Sequence, residues 1–322
     1  MMIIDLIQNT GTLGQLMVVN YLNNILILGS TGMLGKMVSL VFSMYSKDNL
    51  YFTSRSEDKF SKELNGEILF FDPIKDNFAD LCKNVNPNFV INCIGAIKPT
   101  ITNKNESINN AISINSLFPL EISKTAIDLD FNYIQIGTDC VFSGSKGNYS
   151  ELSMTDATDV YGKTKIVGEV TSANKALIRS SIVGPETGNG KSLLNWFLRT
   201  EDLEVNGFTD HEWNGVTTLN FAKIVLGLTK NQNKNIKLQH LIPNDKVNKF
   251  ELLLLFQEYF SKQIKINEAI SETKVDRTLK TNNLRTNDEL WKLGGYQKIP
   301  SVRENISELA EFEGTKKILE FL

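Results

Sequence analysis

A chain of 322 residues with 41% apolar residues and a formal charge of −3 is long enough to bury a sizeable core, as one large domain or two ordinary ones. That balance argues against nucleic-acid attachment through bulk positive charge, and the supply of Leu, Ile, Val and Phe against disorder. Two histidines (His211, His240) and three scattered cysteines (Cys82, Cys93, Cys140) leave no zinc-finger, iron–sulfur or paired-disulfide framework, and no G-x-S-x-G elbow accompanies them. The chemistry is therefore expected to run without His or a dedicated metal.

Residues 1–23 precede the first good strand and are expected to be poorly ordered, either an added arm or an upstream start with Met17 as the alternative. They lack the basic region and continuous apolar core of a secretory signal. No apolar run reaches the length of a membrane span. Unpaired Cys fits a reducing cytoplasm.

Ile25–Leu28 reads as a strand that stops at Gly29, and Lys36–Tyr45 as an amphipathic helix after it. Further strands are expected at Leu50–Thr53, Glu67–Phe71, Phe89–Cys93, Tyr133–Ile136, Ala176–Arg179 and Lys237–Leu241, with a long helix from about Asn109 to Leu129. Short buried strands alternating with helices predict a doubly wound parallel sheet covered on both faces, a Rossmann-like α/β fold. The core is expected over 24–184, continued by about 215–260. A smaller, discontinuous substrate region is expected from 185–214 and 261–322. The Lys/Asn-rich patch at Lys230–Lys237 reads as a solvated loop, and Phe250–Phe260 as a core-packing helix.

Four motifs carry chemistry. The first is Gly29-Ser30-Thr31-Gly32-Met33-Leu34-Gly35, between strand and helix. A diphosphate needs close backbone approach and unpaired amides at a helix N-terminus, and glycine permits both. The second is Arg55 at the end of the second strand, where Asp or Glu selects NAD and Arg accommodates a 2′-phosphate. The third is Tyr161-Gly-Lys-Thr-Lys165. On a helix Lys165 shares a face with Tyr161, and an ammonium nearby lowers a phenol pKa. An exposed helix face is the plain alternative. The fourth is Gly137-Thr138-Asp139-Cys140-Val141-Phe142. It puts a Thr hydroxyl at the carboxyl end of a strand, where open α/β sheets bind ligands.

In this order, with Tyr149-x-Glu151, Val160–Glu169 and Ile178-Arg179-Ser180-Ser181, the motifs resemble the extended short-chain dehydrogenase/reductases, most of all dTDP-4-dehydrorhamnose reductases, over residues 24–310. The resemblance implies that Tyr161 is the catalytic acid, Lys165 its partner, Thr138 the hydroxyl orienting the substrate carbonyl, and Asn115 the helix Asn supporting the Lys through water. It implies a bound NADPH, with NADH as an alternative. The cofactor would lie along Gly29, Thr31, Gly32, Met33, Leu34 and Gly35, with Arg55. The adenine stretch would be Asp72, Pro73 and Ile74, the loop past the ribose Asn92, Cys93, Ile94, Gly95 and Ala96. Substrate contacts would come from Asp139, Cys140, Val141 and Phe142.

Cys140 departs from the family pattern, standing where those reductases carry Tyr and where the related 4,6-dehydratases carry Glu. That argues against dehydration and leaves the sugar open. The stretch Asn206–Thr218 is rich in hydrogen-bonding and aromatic groups, and Trp213, Asn214 and Thr217 are its expected substrate contacts; a packed loop with a core Trp is the alternative. His211 reads as a loop residue bonded to backbone, and Cys93 as an inert core thiol. The reading is NADPH-dependent reduction of a keto group, at C4, on a nucleotide-activated deoxysugar for surface polysaccharide. A 4-epimerase and a non-catalytic NADP-binding regulatory subunit are the alternatives. The partner is a nucleotide sugar, not a nucleic acid or a membrane. Homodimer formation stays open.

Overall fold

The structure, a computed structural model, describes residues 22–170, 174–188, 190–231 and 236–321. The expectation for residues 1–23 therefore falls, apart from Leu22 and Asn23, outside the described residues, as does the centre of the Lys230–Lys237 patch. The first half runs β1 (Asn24–Leu28), α1 (Met33–Tyr45), β2 (Asn49–Ser54), β3 (Glu67–Phe70), α2 (Phe78–Val85), β4 (Phe89–Asn92), α3 (Asn105–Ile112), α4 (Phe118–Asp128), β5 (Asn132–Thr138) and α5 (Val160–Val167). Then come β6 (Lys175–Ser180), β7 (Ile182–Val183), α6 (Leu193–Arg199), β8 (Glu204–Phe208), β9 (His211–Trp213), β10 (Val216–Thr217) and α7 (Thr218–Thr229). The chain continues through β11 (Ile236–His240), β12 (Val247–Asn248), α8 (Lys249–Tyr259), β13 (Lys265–Ala269), β14 (Val275–Asp276), α9 (Leu284–Leu293), α10 (Val302–Glu311) and α11 (Glu313–Leu319).

Seven strands form the central sheet in the order β11-β6-β5-β4-β1-β2-β3, and every pairing is parallel. This is the Rossmann-like arrangement expected from the alternating pattern. β1 explains why. Successive side chains point to opposite faces, and Ile25 and Ile27 enter the core shared with α1 and α7, while Leu26 and Leu28 enter the one shared with α2 and α4. A strand buried on both sides reads as an unbroken apolar run.

The long helix expected from Asn109 to Leu129 is interrupted. Residues Ser113–Leu117 form a π-helical turn between α3 and α4. Three later helices start at capping boxes: Thr217 with Asn220, Asn248 with Glu251, and Ser301 with Glu304.

Among the described residues, three small sheets stand outside the central one. β10 pairs with β7, β13 pairs with β8, and β9 lies between β12 and β14. The chain after β14 goes elsewhere: α9 packs on α7 and β11, and α11 on α1. This tail covers a face of the central sheet, because Trp291, Val302, Ile306 and Ile318 are all buried in the α1–α7 core. The expected substrate region 261–322 thus divides, and its last part belongs to the core. Among the described residues, no helix is long and apolar enough to cross a membrane.

Candidate active site

A cleft of about 590 Å³ opens at the carboxyl ends of β1, β4 and β5. One end is made of backbone. Gly29 has φ +77°, and a Cβ there would stand 2.8 Å from the Ile94 side chain. A Cβ on Gly35 would fall 2.0 Å from the Gly29 carbonyl oxygen, so α1 can lie against the turn only with glycine there. Gly32 caps α1 without any side-chain hydrogen bond, and the first turn carries no acidic residue. The free amides of that turn, at the positive end of the helix dipole, suit a diphosphate. Gly32, Met33 and Leu34 line the cleft. Gly29, Thr31 and Gly35 shape the turn behind them. The turn is tied to β2, where Thr53 Oγ1 accepts from the Gly29 N–H (2.9 Å) and the Ser30 hydroxyl donates to the Thr53 carbonyl (2.9 Å).

Arg55 follows β2 directly and is exposed. The loop carrying it is anchored three residues on, where Asp58 pairs with the buried Lys36 of α1. Asp72, Pro73 and Ile74 lie outside the cleft lining. The Asp72 carboxylate accepts from the Ile74 N–H (3.0 Å) and the Asp72 N–H donates to Asp76 (2.7 Å), so the stretch closes a turn on itself.

After β4, Asn92, Cys93, Ile94 and Gly95 line the cleft. Asn92 is buried; its amide donates to Gln135 (3.0 Å) and its oxygen accepts from the Ile94 N–H (3.1 Å). Burial pushes the Cys93 thiol up to about 12. Ala96 is gripped instead of exposed. Asn115, in the π turn, accepts from its N–H and donates to its carbonyl, both at 2.9 Å, and also donates to Thr164 Oγ1 at 3.2 Å. Asn115 therefore staples the β4 loop to α5. Lys165 takes a different partner, donating to the Ile136 carbonyl at 3.0 Å.

Thr138 ends β5 and Tyr161 sits in the first turn of α5. Gly162 allows them to meet, since a Cβ there would stand 2.5 Å from the Cys140 carbonyl. Tyr161, Lys165, Thr138, Asp139 and Cys140 all line the cleft. Burial raises the Tyr161 phenol above its ordinary value; the nearby Cys140 adds to this, and a hydrogen bond with Thr138 opposes it. The net shift thus runs opposite to the lowering by Lys165 expected from the i, i+4 spacing. A phenol so placed stays protonated near neutrality and is an acid in waiting. Burial lowers the Lys165 ammonium, and the Glu169 carboxylate works against it. Glu169 in turn holds Arg179 of β6, with Nε–Oε1 at 2.7 Å, in a buried ion pair beneath the site.

The model of the RmlD substrate binding domain matches residues 23–312. The chain belongs to this family. A curated relative, methionine adenosyltransferase 2 subunit beta of Xenopus tropicalis, is 25% identical over 301 residues, which is 87% of this chain and 86% of that protein. Among solved structures, a dTDP-4-dehydrorhamnose reductase from Clostridium acetobutylicum superposes with a TM-score of 0.67 at 18% identity, covering 92% of this chain and 99% of that one. One from Bacillus anthracis, in complex with NADP, gives 0.67 at 17%, covering 90% and 99%. At these identities the structural likeness is one of fold.

The far end of the cleft in this RmlD-family chain departs from the sequence expectation. Of the run after β5, only Asp139 and Cys140 face the cavity. Val141 and Phe142 are fully buried with Tyr149 and Leu279, and the Phe142 ring stacks on Tyr149 at 4.2 Å. Thr217 is also fully buried; its hydroxyl caps α7 and donates to Asn220 (2.6 Å). Asn214 is spent on backbone, donating to the Leu279 carbonyl (2.6 Å) and accepting from its N–H (2.9 Å). Trp213 does line the cleft, its indole N–H donating to Ser181 Oγ at 2.9 Å. His211 stands at the edge, bonded to Ser271 Oγ (2.9 Å) and the Thr273 carbonyl (3.2 Å).

Several cleft residues escaped the sequence reading, among them the charged Glu186, Lys191, Glu212, Lys249 and Arg277. Lys249 left a faint signal, because a cation in the first turn of a helix opposes the dipole. Arg277, in Val275-Asp276-Arg277, left none. Burial raises the Asp139 carboxyl, and Arg277 pulls it back.

Proposed function

We propose that this chain is an NADPH-dependent reductase of a keto group, at C4, on a nucleotide-activated deoxysugar, acting in the cytoplasm for surface-polysaccharide synthesis. The observation that carries the reading is one cleft that joins the glycine turn of α1 to Thr138, Tyr161 and Lys165. Fold and family agree with it, and structures of the same fold include dTDP-4-dehydrorhamnose reductases, one of them in complex with NADP. The chemistry expected of a bound nicotinamide dinucleotide is delivery of hydride to the sugar carbon. Gly32, Met33 and Leu34 would hold its diphosphate, and Arg55 would meet the 2′-phosphate that favours NADPH over NADH. Lys165, anchored on the Ile136 carbonyl, would hold the nicotinamide ribose. Tyr161 gives its proton to the carbonyl oxygen, and the Thr138 hydroxyl supports the charge developing there. Asn115 keeps the β4 loop and α5 in register around both.

A second reading, a non-catalytic subunit, draws on the relative named as a subunit of methionine adenosyltransferase. One assay separates them. Purified protein with NADPH and a dTDP-4-keto-6-deoxysugar is expected to consume the two in equal amounts, and Tyr161→Phe to lower kcat by roughly 100- to 10,000-fold with NADPH affinity kept. Product without net NADPH loss would indicate an epimerase. Tight NADPH binding without turnover on dTDP-, UDP- and GDP-4-keto sugars would favour the subunit, and full activity in Tyr161→Phe would sink the mechanism.

A further inference from the structure

β9 is the middle strand of a small sheet whose register is informative. Trp213 pairs with Val247 of β12, and His211 with Val275 of β14. Lys249 follows β12 directly as the first residue of α8, and Arg277 follows β14 directly. Paired residues and those two apart on a strand share a face. His211, Trp213, Lys249, Val275 and Arg277 all line the cleft. The small sheet is thus a platform over the substrate end, and the residues that follow two of its strands, Lys249 and Arg277, are cations. The Arg277 guanidinium is aimed by its Nε, which donates to the Phe142 carbonyl at 2.9 Å. Gly144 makes room for this, because a Cβ there would stand 2.8 Å from Val275 and 3.1 Å from Arg277 Cγ. Among the described residues, Lys249 Nζ makes no hydrogen bond or ion pair; Asp139 lies near both cations, and Asp159 near Arg277. Glu212, on the same strand, is already paired with Lys246 at 3.4 Å.

We propose that Lys249 and Arg277 form an anion-recognition site at the substrate end of the cleft, gripping anionic oxygens of the substrate itself, either its diphosphate or a carboxylate on its sugar. Two cations facing the same carboxylate, Asp139, repel each other unless a further anion joins them, and a guanidinium held by Nε leaves its two terminal nitrogens for a bidentate grip. The inference rests on the nucleotide-sugar reading of the cleft and extends it to residues from the C-terminal half.

The test uses NADP-saturated full-length protein, so that the glycine turn is already filled. Inorganic pyrophosphate, UDP-glucose, UDP-glucuronic acid and uridine are titrated calorimetrically into wild type, Lys249→Gln, Lys249→Arg and Arg277→Lys. Wild type is expected to bind at least one anionic probe and not uridine. Lys249→Gln is expected to weaken that binding roughly tenfold or more with NADP affinity unchanged, Lys249→Arg to restore most of it, and Arg277→Lys to lose part. A loss shared by pyrophosphate, UDP-glucose and UDP-glucuronic acid identifies the diphosphate, and one confined to UDP-glucuronic acid the carboxylate. Absence of anion binding by wild type, or binding by folded Lys249→Gln within twofold of wild type, overturns the proposal. Lys249-dependent anion binding without reductase turnover would leave this site standing and remove the activity. Turnover with unchanged KM in Lys249→Gln would do the reverse.

Discussion

Gly32 and Arg277 face the same cleft from opposite ends, and they reach it by unlike routes. The glycine end comes from one stretch of chain: a strand, a turn and the first turn of a helix, with main-chain amides as the working groups. The arginine end is assembled from segments far apart in sequence, since Trp213, Lys249 and Arg277 meet only because β9 is flanked by β12 and β14. The backbone end tolerates no added atom at Gly29 or Gly35. Working parts made of side chains depend on the bonds that hold their loops.

This contrast can be broken at either end. The largest effect is expected from Gly35→Ala. Its new Cβ has no space against the Gly29 carbonyl, so stability should fall by about 3 kcal/mol and NADPH binding should be lost; calorimetry showing normal affinity would contradict the close-packed turn. At the other end, Asn214→Ala frees the Leu279 main chain from both its bonds. Stability should drop by about 2 kcal/mol and the substrate KM should rise, while NADPH affinity holds. A selective loss of NADPH affinity would reverse the assignment of the two ends. Thr217→Val removes a helix cap outside the cleft, and thermal unfolding should register a loss of about 1 kcal/mol with the substrate KM unmoved. A raised KM would return Thr217 to the substrate.

The smallest effect concerns acid. Burial pushes the Glu151 carboxyl up, but hydrogen bonds from Thr281, Asn282 and the His240 N–H outweigh it and hold the pKa below the ordinary Glu value of 4.5. A carboxylate with a depressed folded pKa stabilises the fold above the unfolded value, and the benefit is lost as pH falls through the folded one. Melting temperature should therefore fall as pH drops below 4.5, and Glu151→Gln should flatten that decline. An unchanged acid profile would show that Glu151 does not link the 281–282 segment to β11.

The sheet was legible because β1, β4 and β6 are buried on both faces, and apolar runs between turn signals announce this. The glycine turn and the Tyr161–Lys165 helix were legible because spacing along one element fixes their geometry. Thr217 was misplaced because a Thr that caps a helix and a Thr that meets a substrate look alike until burial is known. Val141 and Phe142 were grouped with Asp139 and Cys140 by adjacency, yet the short turn after β5 sends the apolar pair inward. Lys249 and Arg277 were missed because no local pattern encodes which distant strands will lie side by side.

The π-helical turn at Ser113–Leu117 carries one more implication. A widened turn amounts to an extra residue, and each residue of an α-helix advances the helix by about 100°. The chain on either side of Asn115 is thus out of phase, and the staple from Ala96 to Thr164 exists only in the phase that the insertion sets. Deleting one residue there would regularise the helix and swing Asn115 by more than a quarter turn, away from both partners. The irregularity behaves like a key cut into a shaft, and a straighter, more regular helix would be the less functional one.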